Sequence, residues 1–232
     1  MDETTWSTLR SAVHGCEECQ RLKGLLFQPF ATGEWPDLPM PRPNPILFLS
    51  EAPPAAGGFW RIAPEAEDGL RANLLPLLGI AEESALVTFR AGGYFLLQSF
   101  QQPLVKGLSL GMFTRPELQE ILGHQVTGHL TPHLAAIQPK AIQALGATAT
   151  LALAVVFPTS AFAQAVKADE KITKLSGRLF PPAEGVPLLA ATPLPAGPAA
   201  GYYQDLWTRD IPAFVREAHR LTLREPARGA TL

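Results

Sequence analysis

Four short apolar runs punctuate the chain, and amphipathic stretches separate them. The runs fall at 45–50 (PILFLS), 93–100 (GYFLLQSF), 141–147 (AIQALGA) and 188–195 (LLAATPLP). Apolar side chains in them are consecutive rather than alternating, and turn-forming residues bound them, as expected for strands buried on both faces of a parallel sheet. Trp6, Leu9, Val13, Cys16, Leu22 and Leu26 recur at helical spacing and predict a first helix over residues 4–26, with Gly15 as its weak point. Further helices are predicted over 69–78, over 115–137 with a break near Gly128, over 148–156 and over 204–220. Strands alternating with helices imply a three-layer α/β/α fold with a short, mostly parallel central sheet of about four strands. Ligands of such sheets sit beyond the carboxyl ends of the strands.

The 232 residues are 47% hydrophobic and show no break in composition, so a single domain over 1–232 is expected. Pro36, Pro39, Pro41, Pro43 and Pro45 exclude regular structure and mark 30–45 as a surface linker, while 222–232 reads as a flexible tail. No segment approaches the roughly 18–20 apolar residues of a membrane span, and a cytoplasmic monomer is expected. The formal charge of −2 gives no global attraction to polyanions, so any nucleic-acid contact rests on a local basic patch. Neither a Walker nor a dinucleotide glycine motif occurs, which leaves nucleotide triphosphate chemistry unsupported.

The cysteines are Cys16 and Cys19 alone. Their spacing suits half of a metal or cluster site or a redox pair, but no second pair supplies the other two ligands, and two reduced thiols on a helix is the plainer interpretation. His129 and His133 are four apart, yet Thr131 and Pro132 predict a helix restart between them that spoils a common face. His124, His129 and His133 therefore read as surface or packing histidines, and no metal or cofactor is expected.

Two loops at strand ends carry the candidate chemistry. Residues 50–60 (SEAPPAAGGFW) combine a carboxylate, stiffening prolines, two glycines and two aromatics; residues 191–203 (ATPLPAGPAAGYY) form a second rigid loop. After the third run, Gly146 permits a tight turn and Thr148 is placed to cap the next helix.

Ser50-Glu51-Ala52-Pro53-Pro54, the stretch from Gln138 to Ala149 (QPKAIQALGATA) and Thr192-Pro193-Leu194-Pro195 follow one another in an order that resembles the uracil-DNA glycosylase superfamily, whose first and last motifs read like G-E-A-P-G and H-P-S-P. The resemblance covers roughly 45–207. It implies base excision from DNA: a flipped, deaminated or otherwise altered base is enclosed and its N-glycosidic bond hydrolysed through a cationic sugar and an anionic leaving base. Glu51 would steer water or steady the cation, or else only cap backbone N–H groups. Ala52, Pro53 and the stacking aromatics Phe59 and Trp60 would form the base pocket, unless those rings are core residues. Gln98 stands where the family has an asparagine that reads the base edge, with a plain polar edge residue as the alternative. Thr192 replaces the histidine that stabilises the leaving anion, and a lost donor of that kind costs about 2.7–4 kcal/mol. Many relatives of this type hold a four-cysteine iron–sulfur cluster. Cys16 and Cys19 resemble its first pair, and the second is missing.

Lys167, Lys171, Lys174 and Arg178, offset by Asp169 and Glu170, would face DNA or simply solvent, and Leu194 would be either an apolar wedge or a packing residue. Two other functions stay open: a catalytically weak DNA- or base-binding member of the fold, and a hydrolase or binding protein independent of nucleic acid on the same scaffold.

Overall fold

A computed structural model describes residues 1–21, 26–28, 38–55, 58–60, 69–81, 85–105, 121–168, 171–197 and 199–224, with backbone only for 222–224. The central sheet holds β1 (Ile46–Ser50), β2 (Tyr94–Gln98), β3 (Ala141–Leu145), β4 (Leu179–Phe180) and β5 (Leu188–Thr192) in the order β2-β1-β3-β5-β4. The four apolar runs supply the parallel strands, as their lack of alternation requires. β4 pairs antiparallel with β5 and brings the sheet to five strands. It is two residues long with Leu179 exposed, too short for any periodicity to show in sequence.

The helices are α1 (Glu3–His14), α2 (Glu17–Arg21), α3 (Gly69–Leu77), α4 (Ala85–Ala91), α5 (Thr131–Ile137), α6 (Ala147–Val156), α7 (Ala161–Ala168), α8 (Ile172–Leu175) and α9 (Gln204–Arg224). The helix expected over 4–26 divides at Gly15, where the backbone leaves the helical region and α2 starts afresh at Glu17. Residues 22–25 and 115–120 of the expected helices, 30–37 of the expected linker and 225–232 of the expected tail lie outside the described residues; 38–45 form no helix or strand, and 222–224 end α9 instead of beginning a tail.

The sheet is covered on both faces. On one, Phe48 meets Phe89 of α4 and Phe214 of α9, at ring separations of 6.2 and 6.4 Å. On the other, Trp6 of α1 packs edge-on against Phe95 at 5.9 Å and against His133 of α5 at 5.5 Å. No described helix is long and apolar enough to cross a membrane.

The break expected near Gly128 does not occur. A helical turn at 121–125 continues through a π-helical turn, Val126–Leu130, directly into α5. Leu130 and Thr131 both keep α-helical backbone angles, and the Thr131 N–H donates to Val126 O, five residues back. Pro132 lies inside this continuous helix, two residues after the π-turn ends, and neither stops nor restarts it.

Candidate functional site at the carboxyl ends of the strands

The strand register sets Ser50 beside Gln98 and Leu145 beside Thr192, so the exits of β2, β1, β3 and β5 form one row. The exits of β1 and β2 are laced together. Ser99 donates to Ser50 O through its N–H at 2.8 Å and its hydroxyl at 3.0 Å, and the Phe100 N–H donates to Glu51 O at 2.8 Å. Glu51 is therefore the first side chain beyond the interior strand β1, and it is half-buried.

Its carboxylate accepts a hydrogen bond from the Thr148 hydroxyl at 2.5 Å. Thr148 lies in the first turn of α6, whose cap is Gly146 and carries no side-chain hydrogen bond. The capping role expected of Thr148 is thus corrected: its hydroxyl is committed to Glu51. An uncapped helix N-terminus, with its free N–H groups and positive dipole end, favours a carboxylate beside it.

Gly146 is required by geometry. Its φ of +95° suits glycine, and a Cβ there would come within 3.3 Å of Leu194 Cβ. Its N–H donates to Thr192 O at 2.9 Å, which ties the β3 exit to the β5 exit. Leu194 is half-buried and packs against the core, so the packing alternative describes it in this conformation. The next residue, Pro195, accepts from the Asn73 amide of α3 at 2.8 Å.

Thr192 does not line an opening. It is fully buried, and its hydroxyl lies 3.5 Å from the Ser176 hydroxyl, which in turn donates to the buried carboxylate of Asp210 on α9. Arg209 closes that chain by donating to Asp210 at 2.7 Å. Thr192 ends the strand two places from β1, about 10 Å across the sheet from the Glu51 exit at ordinary strand spacing. A fully covered hydroxyl directed at Ser176 does not fit the catalytic role expected of Thr192.

Phe59 and Trp60 take the core position that was the alternative to stacking. Phe59 is 1% and Trp60 8% exposed. Both pack on Phe89, at 5.0 and 5.7 Å, and Trp60 also meets Phe95 at 5.1 Å. The Trp60 indole N–H donates to Leu96 O at 2.9 Å, satisfying a carbonyl of the sheet's edge strand. The aromatic pair serves the core and seals an edge. Gln98 is buried at the β2 exit rather than lying on the surface, Pro53 is buried, and Ala52 is half-buried beside Glu51.

Lys167, Lys171, Lys174 and Arg178 are all exposed. Because β4 runs antiparallel to β5, the chain enters β4 at the carboxyl end of β5, which puts Arg178 on the same side of the sheet as Glu51. The Arg178 guanidinium rests over the Phe180 ring at 5.0 Å. A groove of about 900 Å³ opens at the opposite end, between residues preceding β3 and β5 such as Lys140 and Pro187, with mainly apolar walls. It lies away from the strand exits.

A second constellation went unseen in the sequence. Cys16, Cys19, His124 and His129 converge, their donor atoms all within 4.8 Å of one another. Cys16 Sγ is 3.3 Å from His124 Nε2, and Cys19 Sγ is 3.2 Å from His129 Nε2. His124 and His129, expected in surface or packing roles, lie against the two thiols and complete a set of four donor groups. His133 alone keeps the packing role, with its ring against Trp6 and its Nδ1 donating to His129 O at 2.7 Å. Burial drives the His129 pKa down to about 4 and pushes the Cys19 thiol up to about 12.

No family model matches the chain, and no curated protein matches it.

Proposed function

We propose that this protein acts on the N-glycosidic bond of an altered base in DNA, with Glu51 orienting the attacking water or steadying the sugar cation. The observation that carries this reading is the half-buried Glu51 carboxylate at the exit of β1, anchored by Thr148. It stands where α/β sheets bind ligands, and its motif is the one that resembles the uracil-DNA glycosylase superfamily. With Thr192 covered, no side chain is assigned to stabilise a leaving anion. The substrates that suit such a site are bases that depart without that help, such as alkylated purines that leave as neutral molecules. Uracil, which leaves as an anion, is a poor substrate on this reading.

Burial of Thr192, Phe59 and Trp60 favours a second reading, a member of the fold that binds DNA or a base with little chemistry. Abasic-site formation on a panel of single- and double-stranded oligonucleotides, some with alkylated and some with deaminated bases, separates the two. The first reading expects release of alkylated bases, with a loss of about 100-fold or more in Glu51→Gln and little change in thermal midpoint. Absence of release from every substrate, with salt-sensitive DNA binding retained, leaves the second. A large drop in midpoint for Glu51→Gln would reduce Glu51 to a helix cap.

A further inference from the structure

We propose that Cys16, Cys19, His124 and His129 bind one tetrahedral divalent metal ion, zinc in preference to others, and that this ion fastens the amino-terminal helices to the π-turn. The donor set is two sulfurs and two imidazole nitrogens, a combination common in closed structural zinc sites. With metal–sulfur and metal–nitrogen bonds of about 2.3 and 2.0–2.1 Å, a tetrahedron has sulfur–nitrogen edges of about 3.5 Å and a sulfur–sulfur edge of about 3.8 Å. The two measured sulfur–nitrogen separations, 3.3 and 3.2 Å, lie close to those edges, and the 4.8 Å limit on all pairs accommodates the rest.

The π-turn makes this convergence possible. Residues five apart on a regular α-helix point about 140° away from each other. The widened turn at Val126–Leu130 reduces that divergence, and the His124 and His129 rings come to 5.6 Å between centroids. Single π-turns inside helices are frequent at functional sites, and this one brings the two histidines together.

Two N–H donors already point at the sulfurs. The Cys19 N–H donates to Cys16 Sγ at 3.3 Å, and the Gln125 amide donates to Cys19 Sγ at 3.2 Å. Two thiolates would balance the charge of a divalent ion. His129 Nδ1 is buried without a partner, so the ring is held from its Nε2 side alone.

The four-cysteine cluster of the resembling family does not fit, because two of the donors here are imidazoles. A two-iron cluster with both cysteines on one iron and both histidines on the other would separate the sulfurs from the nitrogens. Here each sulfur touches a nitrogen. The inference is independent of the glycosylase reading.

Elemental analysis of the full-length protein, purified without chelators, tests it. One zinc per chain, with neither iron nor acid-labile sulfide, is the expected result. Cobalt(II) exchanged into the site should give the intense visible bands of a tetrahedral ion together with sulfur-to-metal charge transfer. Cys19→Ser should abolish those bands, whereas His124→Cys, which preserves a four-ligand set, should retain one metal per chain if the fold survives. Iron and sulfide in equal amounts would overturn the proposal. So would a metal-free protein that takes up no cobalt and whose thermal midpoint is indifferent to added zinc.

Discussion

The exits of β1 and β3 and the cysteine–histidine cluster both join residues about a hundred positions apart, and they do so by different means. Glu51 meets Thr148 because β1 and β3 are adjacent parallel strands, so the residues that follow them emerge side by side. Cys16 and Cys19 meet His124 and His129 because a helix carries a π-turn at one particular place. The first kind of meeting follows from topology and needs only the order of the strands. The second depends on a local irregularity of one helix, and a single residue of register would undo it. Polar groups at strand exits are thus robust to detail, while a ligand cluster on helices demands it.

The comparison has a second side. The loop that follows Glu51 was expected to open a pocket with Phe59 and Trp60, and instead it turns them inward to finish the core. Trp60→Ala should therefore cost about 3–5 kcal/mol of stability, the largest effect expected here, because it empties a filled volume and leaves Leu96 O at the sheet edge without its donor. Trp60→Phe keeps most of the volume and should lose about 1 kcal/mol, the usual contribution of one hydrogen bond. Chemical denaturation of both variants measures this. A Trp60→Ala protein of native stability that no longer binds DNA would restore the stacking role and make the β1 exit an open site.

The four parallel strands were legible in the sequence because burial on both faces leaves a plain mark, a run of consecutive apolar residues. Glu51 was legible for a related reason, since a polar residue directly after such a run has to emerge at the sheet's end. The direction of Phe59 and Trp60 was not legible, because an aromatic after a glycine pair looks the same whether it lines a pocket or completes a core. Asp210 gave no sign of its partnership with Ser176, which a helix more than thirty residues downstream creates. The π-turn hid the metal ligands: five-residue spacing matches no ordinary helical face, and Thr131-Pro132 imitates a helix start.

A smaller effect is expected at Thr192. The resemblance to H-P-S-P invites replacement by histidine to restore the anion donor. The position has no room for it, being fully covered and bounded by Ser176 and by the Gly146 turn. Thr192→His should therefore lower stability by about 1–3 kcal/mol, as overpacking does, without raising the rate of uracil release. Thermal melts read alongside abasic-site formation decide the matter. A stable Thr192→His protein with faster release would mean that the β5 exit opens in solution and that both ends of the row serve one site.

The smallest effect concerns the basic segment beside that row. Lys171, Lys174 and Arg178 are exposed and lead into β4 at the carboxyl end of β5, and Lys167 lies in the last turn of α7 a few residues earlier. Each side chain that neutralises a DNA phosphate releases counterions and steepens the fall of log K with log salt by about 0.9. Over a fourfold rise in salt, one contact therefore accounts for a factor of about 3 to 4 in affinity. Replacing Lys174 and Arg178 together with glutamine should flatten the slope by about 1.8 if both reach phosphates, and Lys167→Gln should add a further 0.9 if it does too. Arg178 also covers the Phe180 ring, so its loss carries a packing component that salt does not touch. The slope separates the two, because packing shifts affinity or stability at every salt concentration alike. Binding isotherms on one oligonucleotide at several salt concentrations give the slope directly. An unchanged slope in the double variant would make this segment an ordinary solvated face, and the DNA surface would have to be sought on the other side of Glu51.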